Sequence, residues 1–326
     1  MTVQSAPQAV TRRMLLARLI GGFSFVPALV LALALLTVVV ITQPQTSWLQ
    51  MLLYFSPFAL VAIASGMAPL AGGGGVDLSL SASMTLCCAV YVVVLAPAGL
   101  GGLESIPLVL AVGAGVGLIN GLIVTLLRVS PLIATLSMNF ILIGLCVKIA
   151  PRPALVREGW IYELGQGSWG LPAGLVLIAA PLILWMLLRA TPFVRVLLAT
   201  GSNDAAAYAS GISVDLVRVL AYALGGLVAG VGGFALVAVS GSIDASTAQS
   251  YLIPGLVAIA LGGTALEGGR GGVVGPLAGM AFLFLLQLSL SSVGVGQSWI
   301  QIIYGVALVG AIVFSRQLSV AGRGRP

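Results

Sequence analysis

The sequence predicts an all-α, polytopic membrane protein of about ten transmembrane helices. Three observations predict it. Of 326 residues, 60% are hydrophobic and only 7% charged, whereas an average soluble domain carries roughly 25% charged residues. The apolar residues gather in runs close to the length of about 20 that a helix needs to cross a bilayer. Most of the few charges fall between those runs.

In chain order the candidate spans are 19–41, 49–70, 77–95, 107–127, 131–150, 172–188, 216–240, 251–266, 273–292 and 297–315. The first follows Arg12, Arg13 and Arg18, the flank of a secretory signal. It is too long for a signal h-region and has no small-residue cleavage site, so it is expected to remain as a spanning helix. Between 56 and 78, Pro57, Pro69 and a glycine run predict a broken or re-entrant element. Irregular backbone at that depth needs protein or a water-filled cavity to satisfy it. Gly113, Gly117 and Gly121 stand four apart, as do Gly226 and Gly230, and Gly275 and Gly279. Small residues at that spacing let helices approach closely in lipid. Packing within the chain is the expected use, with a subunit interface as the alternative.

Alternate threading from an inner N-terminus puts eleven of the fourteen basic residues on the cytoplasmic side: Arg12, Arg13, Arg18, Arg128, Arg189, Arg195, Arg218, Arg270, Arg316, Arg323 and Arg325. Lys148, Arg152 and Arg157 fall outside, beside Glu158 and Glu163. The positive-inside rule therefore predicts both termini in the cytoplasm. The chain divides into a cytoplasmic tail 1–18, one transmembrane domain 19–315 and a cytoplasmic tail 316–326.

The longest cytoplasmic segment is the loop 189–216, centred on GSNDAAAYASGI, Gly201 to Ile212. Ser202 or Asn203 caps a short helix there, Asp204 suits its positive end, alanines carry it and Gly211 ends it. Such a helix between two spans is shaped to dock a soluble partner; a plain helical connection is the alternative.

Much chemistry is excluded. Without histidine, and with Lys148 as the one lysine, the chain can build no histidine triad, zincin motif or Walker A loop. Any ATP is bound by a partner, and no cofactor or metal is expected. A net charge of +6 spread over scattered arginines offers no nucleic-acid face. Cys87, Cys88 and Cys146 read as small buried hydrophobes. Asp77 is the one carboxylate placed to act at membrane depth, so proton coupling is poorly supported. Asp77, Ser79, Asn120, Asn139 and Gln287 are the candidate translocation-path residues, suited to a neutral, hydroxyl-rich solute or to bonds between helices. For Asp77 the physical alternative is a carboxylate cap on a helix beginning at Leu78.

Four blocks carry a resemblance: GGGGVDLSLSASM (Gly72 to Met84), GLINGLIVTLLRVSPLIATLSM (Gly117 to Met138), RVLLATGSNDAAAYASGI (Arg195 to Ile212) and LVAIALGGTALEGGRGGVVGPLAG (Leu256 to Gly279). In this order they resemble the permease subunits of bacterial ribose-type ABC importers, within the superfamily that includes branched-chain amino acid permeases. Ser81 and Ala82 stand where that family commonly has Val-Gly, and Ser137 replaces a frequent glycine. The resemblance implies a type II ABC importer-like fold in the bacterial inner membrane, surrounded by lipid. It implies cytoplasmic ABC ATPase subunits, a second permease chain, identical or paralogous, and a periplasmic sugar-binding protein. By position it makes Asn203, Asp204, Ala205, Ala206, Ala207, Ser210 and Gly211 the ATPase-coupling segment, with Asp204 to Ala207 facing the ATPase groove. A permease for branched-chain amino acids or nucleosides, and a stand-alone secondary transporter, are the alternatives.

Overall fold

The computed structural model describes residues 25–323 apart from positions 44 and 46. The predicted N-terminal tail with Arg12, Arg13 and Arg18, the first residues of the predicted first span, and Arg325 lie outside the described residues. The helices are α1 (Val26–Thr42), α2 (Trp48–Ser65), α3 (Met67–Leu70), α4 (Leu80–Ala89, continued by a π-helical turn Val90–Leu95), α5 (Ser105–Leu126), α6 (Pro131–Ile149) and α7 (Trp160–Gly165). They continue with α8 (Ala173–Ala190), α9 (Phe193–Ser202), α10 (Asp204–Ala209), α11 (Val214–Ser240), α12 (Gln249–Leu261), α13 (Val274–Ser292) and α14 (Gln297–Arg323).

Each predicted apolar run is helical over most of its described residues, the run 49–70 on both α2 and α3. Six helical segments are long and apolar enough to cross a membrane by length and composition: Trp48–Leu70, Ser105–Leu126, Pro131–Ile149, Ala173–Ala190, Val214–Ser240 and Val274–Ser292. The apolar segments at Val26–Thr42, Leu80–Leu95 and Ala245–Leu261 are shorter. The break expected between 56 and 78 is confined to its second half: α2 runs through Pro57 to Ser65, and irregular backbone follows α3 until Leu80.

At the centre stands α11, packed against α2, α4 and α5. Its closest neighbour is α5, and glycine is the reason. A Cβ on Gly113 would sit on the Gly226 carbonyl, one on Gly226 would sit on the Gly113 carbonyl, and one on Gly117 would sit on the Tyr222 carbonyl. Two of the four-residue glycine series thus pack against each other within one chain. Gly275 and Gly279 do the same for α13, lying on Gly262 and on the Ala258 carbonyl of α12.

The connections segregate to two ends. At one, Tyr91 Oη donates to the Gly101 carbonyl (2.9 Å) and Trp160 Nε1 to Ser105 Oγ (3.0 Å). The two-residue strands β1 (Ala154–Leu155) and β2 (Ser242–Ile243) pair antiparallel at that end. At the other end meet the loops around Gly72, Gly201 and Gly268. All three cysteines are buried and free.

Candidate functional site

The break between α3 and α4 is built from the glycine run. Gly72, Gly73 and Gly74 all have positive φ, 75°, 65° and 69°, a region open to glycine and costly for other residues. From there the chain reaches Asp77, only 4% exposed. Its Oδ1 accepts hydrogen bonds from the Ser79 amide (2.9 Å) and the Ser79 hydroxyl (2.7 Å). Asn120 Nδ2 of α5 donates to the same Ser79 Oγ (2.8 Å). Thr135 of α6 closes the opposite side: its hydroxyl accepts from the Leu78 amide (3.1 Å) and lies 3.2 Å from the Val76 carbonyl.

Asp77, Ser79 and Asn120 are therefore one buried cluster. Two of its acceptors, Asp77 Oδ2 and Asn120 Oδ1, have no hydrogen-bond partner among the described residues. Asn139 lies on α6 four residues beyond Thr135, buried, with its own Oδ1 unpartnered among the described residues. Gln287 stands apart, accepting from Tyr304 Oη (2.9 Å) in a bond between α13 and α14. The expected cap of a helix starting at Leu78 is corrected. The carboxylate closes a tight turn onto Ser79, which holds Leu78 and Ser79 out of the helix, and α4 starts at Leu80.

The short helix in loop 189–216 forms as its sequence dictates. Asn203 Oδ1 accepts from the Ala206 amide (3.0 Å), Asp204 is the first helical residue, and Gly211 turns the chain away at φ 80°. Ala205, Ala206, Tyr208 and Ser210 are exposed. Ala207 is not: at 4% exposure it faces the bundle, so it cannot meet a partner. A helix of six residues resting on a surface must turn one residue inward, and here that residue is Ala207. Asp204 is also turned to the chain's own use, in an ion pair with Arg218 of α11.

That end of α11 ties the short helix to the break. The Arg218 guanidinium lies over Gly73, 2.7 Å from where a Cβ would stand, and its side chain is only 19% exposed. Beside it, Gly72, Gly201 and Gly268 meet backbone to backbone. A Cβ on Gly72 would be 2.9 Å from Gly201 Cα, and one on Gly201 would sit on the Leu70 carbonyl and the Gly269 amide. The Gly269 amide donates to the Leu70 carbonyl (3.4 Å). Three of the four sequence blocks share this junction, and the second, through Asn120 and Thr135, grips the break from above. Tyr222 carries no sequence signal of its own, since it reads as part of an apolar span, and Arg218 reads only as one of the cytoplasmic basic residues. Thr135 could have been found as one of the few polar residues of its run, four residues after Pro131.

Comparison with known proteins identifies the family of the chain. The chain is 32% identical to the ribose import permease protein RbsC of Bacillus subtilis, covering 79% of this chain and 81% of that protein. It is 31% identical to the ribose import permease protein RbsC of Escherichia coli over 77% of this chain and 80% of the relative. It is also 28% identical to the autoinducer 2 import system permease protein LsrD of Photorhabdus temperata, over 90% of each. No solved structure matches the chain. The family model for the permease component of branched-chain amino acid transport systems matches residues 47–312. A multi-pass membrane chain whose family blocks converge on one helix break, it belongs to that permease family.

Proposed function

We propose that the chain is the permease subunit of an ATP-binding cassette importer, forming the path for a sugar or related polar solute. In this reading separate cytoplasmic ATPases drive it, a solute-binding protein feeds it, and a second permease chain completes the pore. The observation that carries the reading is the linkage of an exposed short helix to a buried break. α10 presents Ala205, Ala206 and Tyr208 outward, while Asp204, Arg218 and the glycine junction join it to the backbone that holds Asp77, Ser79 and Asn120. A helix on such a mount is suited to pass a partner's motion inward.

Orientation follows from charge. The end bearing Arg128, Arg218 and Arg270 is assigned to the cytoplasm under the positive-inside rule, and the membrane to the bacterial inner membrane. Relatives named for ribose and autoinducer-2 import favour the sugar branch over amino acids.

The test is ATP-dependent uptake of radiolabelled D-ribose and of autoinducer-2 into proteoliposomes holding the chain with its ATPase, second permease chain and binding protein. Uptake should require the ATPase, and Ala206→Arg should abolish ATPase capture without preventing membrane insertion. Uptake that persists without the ATPase, or ATPase capture that is normal in Ala206→Arg, would refute the assignment.

A further inference from the structure

A cleft of about 360 Å³ opens at the α10 end of the bundle. Gly72 and Gly73 of the break, Thr125 of α5, Arg128, and Arg218 and Tyr222 of α11 line it. Its volume is at the lower end of small-molecule sites, which run from about 300 to 1,000 Å³. Its charges are mixed: Arg128, Arg218 and Asp215 all line the cleft, and Arg218 is already paired with Asp204. An anion would gain little there, whereas a neutral molecule with donors and acceptors would find both kinds of partner.

Tyr222 is the informative residue. It is 2% exposed, yet its hydroxyl has no hydrogen-bond partner among the described residues. Leaving a buried polar group unpaired costs about 1–3 kcal/mol, and phenylalanine of nearly the same shape would avoid that cost. Tyr222 shares the cleft wall with Arg218, the residue whose ion pair anchors α10. Arg218 Nε is buried and unpartnered among the described residues as well. Two unsatisfied groups at the wall of a polar cleft call for a ligand.

We infer that this cleft is a release-side binding site for a neutral, hydroxyl-rich solute, contacted by the Tyr222 hydroxyl, and that the inference rests on the importer reading above. Because Arg218 belongs both to the cleft wall and to the mount of α10, filling the site and moving the docking helix are linked through one side chain.

The experiment measures equilibrium binding to the permease–ATPase complex in detergent, without the binding protein. The probe is whichever of radiolabelled D-ribose and autoinducer-2 the wild-type importer takes up. Tyr222→Phe should weaken binding about three- to tenfold, the worth of one hydrogen bond, while its thermal midpoint stays level or rises. Ser83→Ala removes another buried, unpartnered hydroxyl away from the cleft and should leave binding unchanged. No detectable binding to wild type, unchanged binding in Tyr222→Phe, or equal losses in the two variants would overturn the release site. Wild-type uptake of either probe that persists without the ATPase would instead strike the importer reading itself.

Discussion

Gly117→Ala and Gly115→Ala form a matched pair on α5. Both add one methyl group to the same helix, and on peptide scales each gains roughly 0.8–1.0 kcal/mol of helix propensity. Their surroundings differ. A Cβ at Gly115 meets nothing within 4 Å, whereas one at Gly117 would sit on the Tyr222 carbonyl, 2.8 Å from Tyr222 C and 3.0 Å from Ala223 Cα. All three are backbone atoms of α11, and no side chain can rotate away to make room. Overpacking of this kind costs about 1–3 kcal/mol. Propensity cancels between the variants, so Gly117→Ala should be less stable than Gly115→Ala by that full amount, about 1–3 kcal/mol. Thermal unfolding in detergent, followed by tryptophan fluorescence at one scan rate because membrane-protein unfolding is rarely reversible, should show Gly115→Ala at or above wild type and Gly117→Ala several degrees below Gly115→Ala. Equal midpoints would refute the close approach of α5 and α11.

Three further outcomes are expected. Asn203→Ala removes the cap of α10 and should cost about 1 kcal/mol locally, read as faster amide exchange at Ala206 and weaker ATPase capture. Ser79→Ala leaves Asn120 Nδ2 buried and unpaired and should cost about 1–3 kcal/mol, whereas Ser79→Thr should retain most of the stability; equal losses would show that the hydroxyl is not the bridge. Ser246 donates its amide (2.8 Å) and hydroxyl (2.7 Å) to Asp244 Oδ1, which holds that carboxyl below its ordinary range. A depressed folded-state value means the turn is stabilised above the ordinary carboxylate range and loses that stability as pH falls through the lower value, so protection of the Ser246 amide should fade only in acid.

Much of this organisation was legible in the chain. Apolar runs located the helices because a bilayer admits few other uses for them. The cap of α10 was readable because Asn203, Asp204 and Gly211 act on neighbours within a few residues. Glycines four apart announced close helix contacts, but not which pairs would meet, since the partners of Gly113 and Gly117 lie about a hundred residues away and those of Gly275 and Gly279 at the end of the preceding helix. What escaped was set by geometry between elements. Nothing local shows that Asp204 reaches Arg218, that Ala207 turns inward, or that Gln287 serves Tyr304 rather than the Asn120 cluster. The sequence offers Asp77 as a path residue or as the cap of a helix at Leu78; the competing turn onto Ser79 starts the helix two residues later.

The meeting of Gly72, Gly201 and Gly268 has a mechanical meaning. Contacts between side chains are compliant, because a rotamer can swing and absorb a displacement of an ångström. Main chain pressed on main chain has no such slack, as tightly packed interiors transmit strain rather than dissipating it. The end of α9 at Gly201 is thus in direct backbone contact with both the Gly72 turn and the Gly268 loop, with no side chain between them to absorb a displacement. The joint acts as a stiff contact, and any side chain larger than hydrogen at those three positions would force the backbones apart.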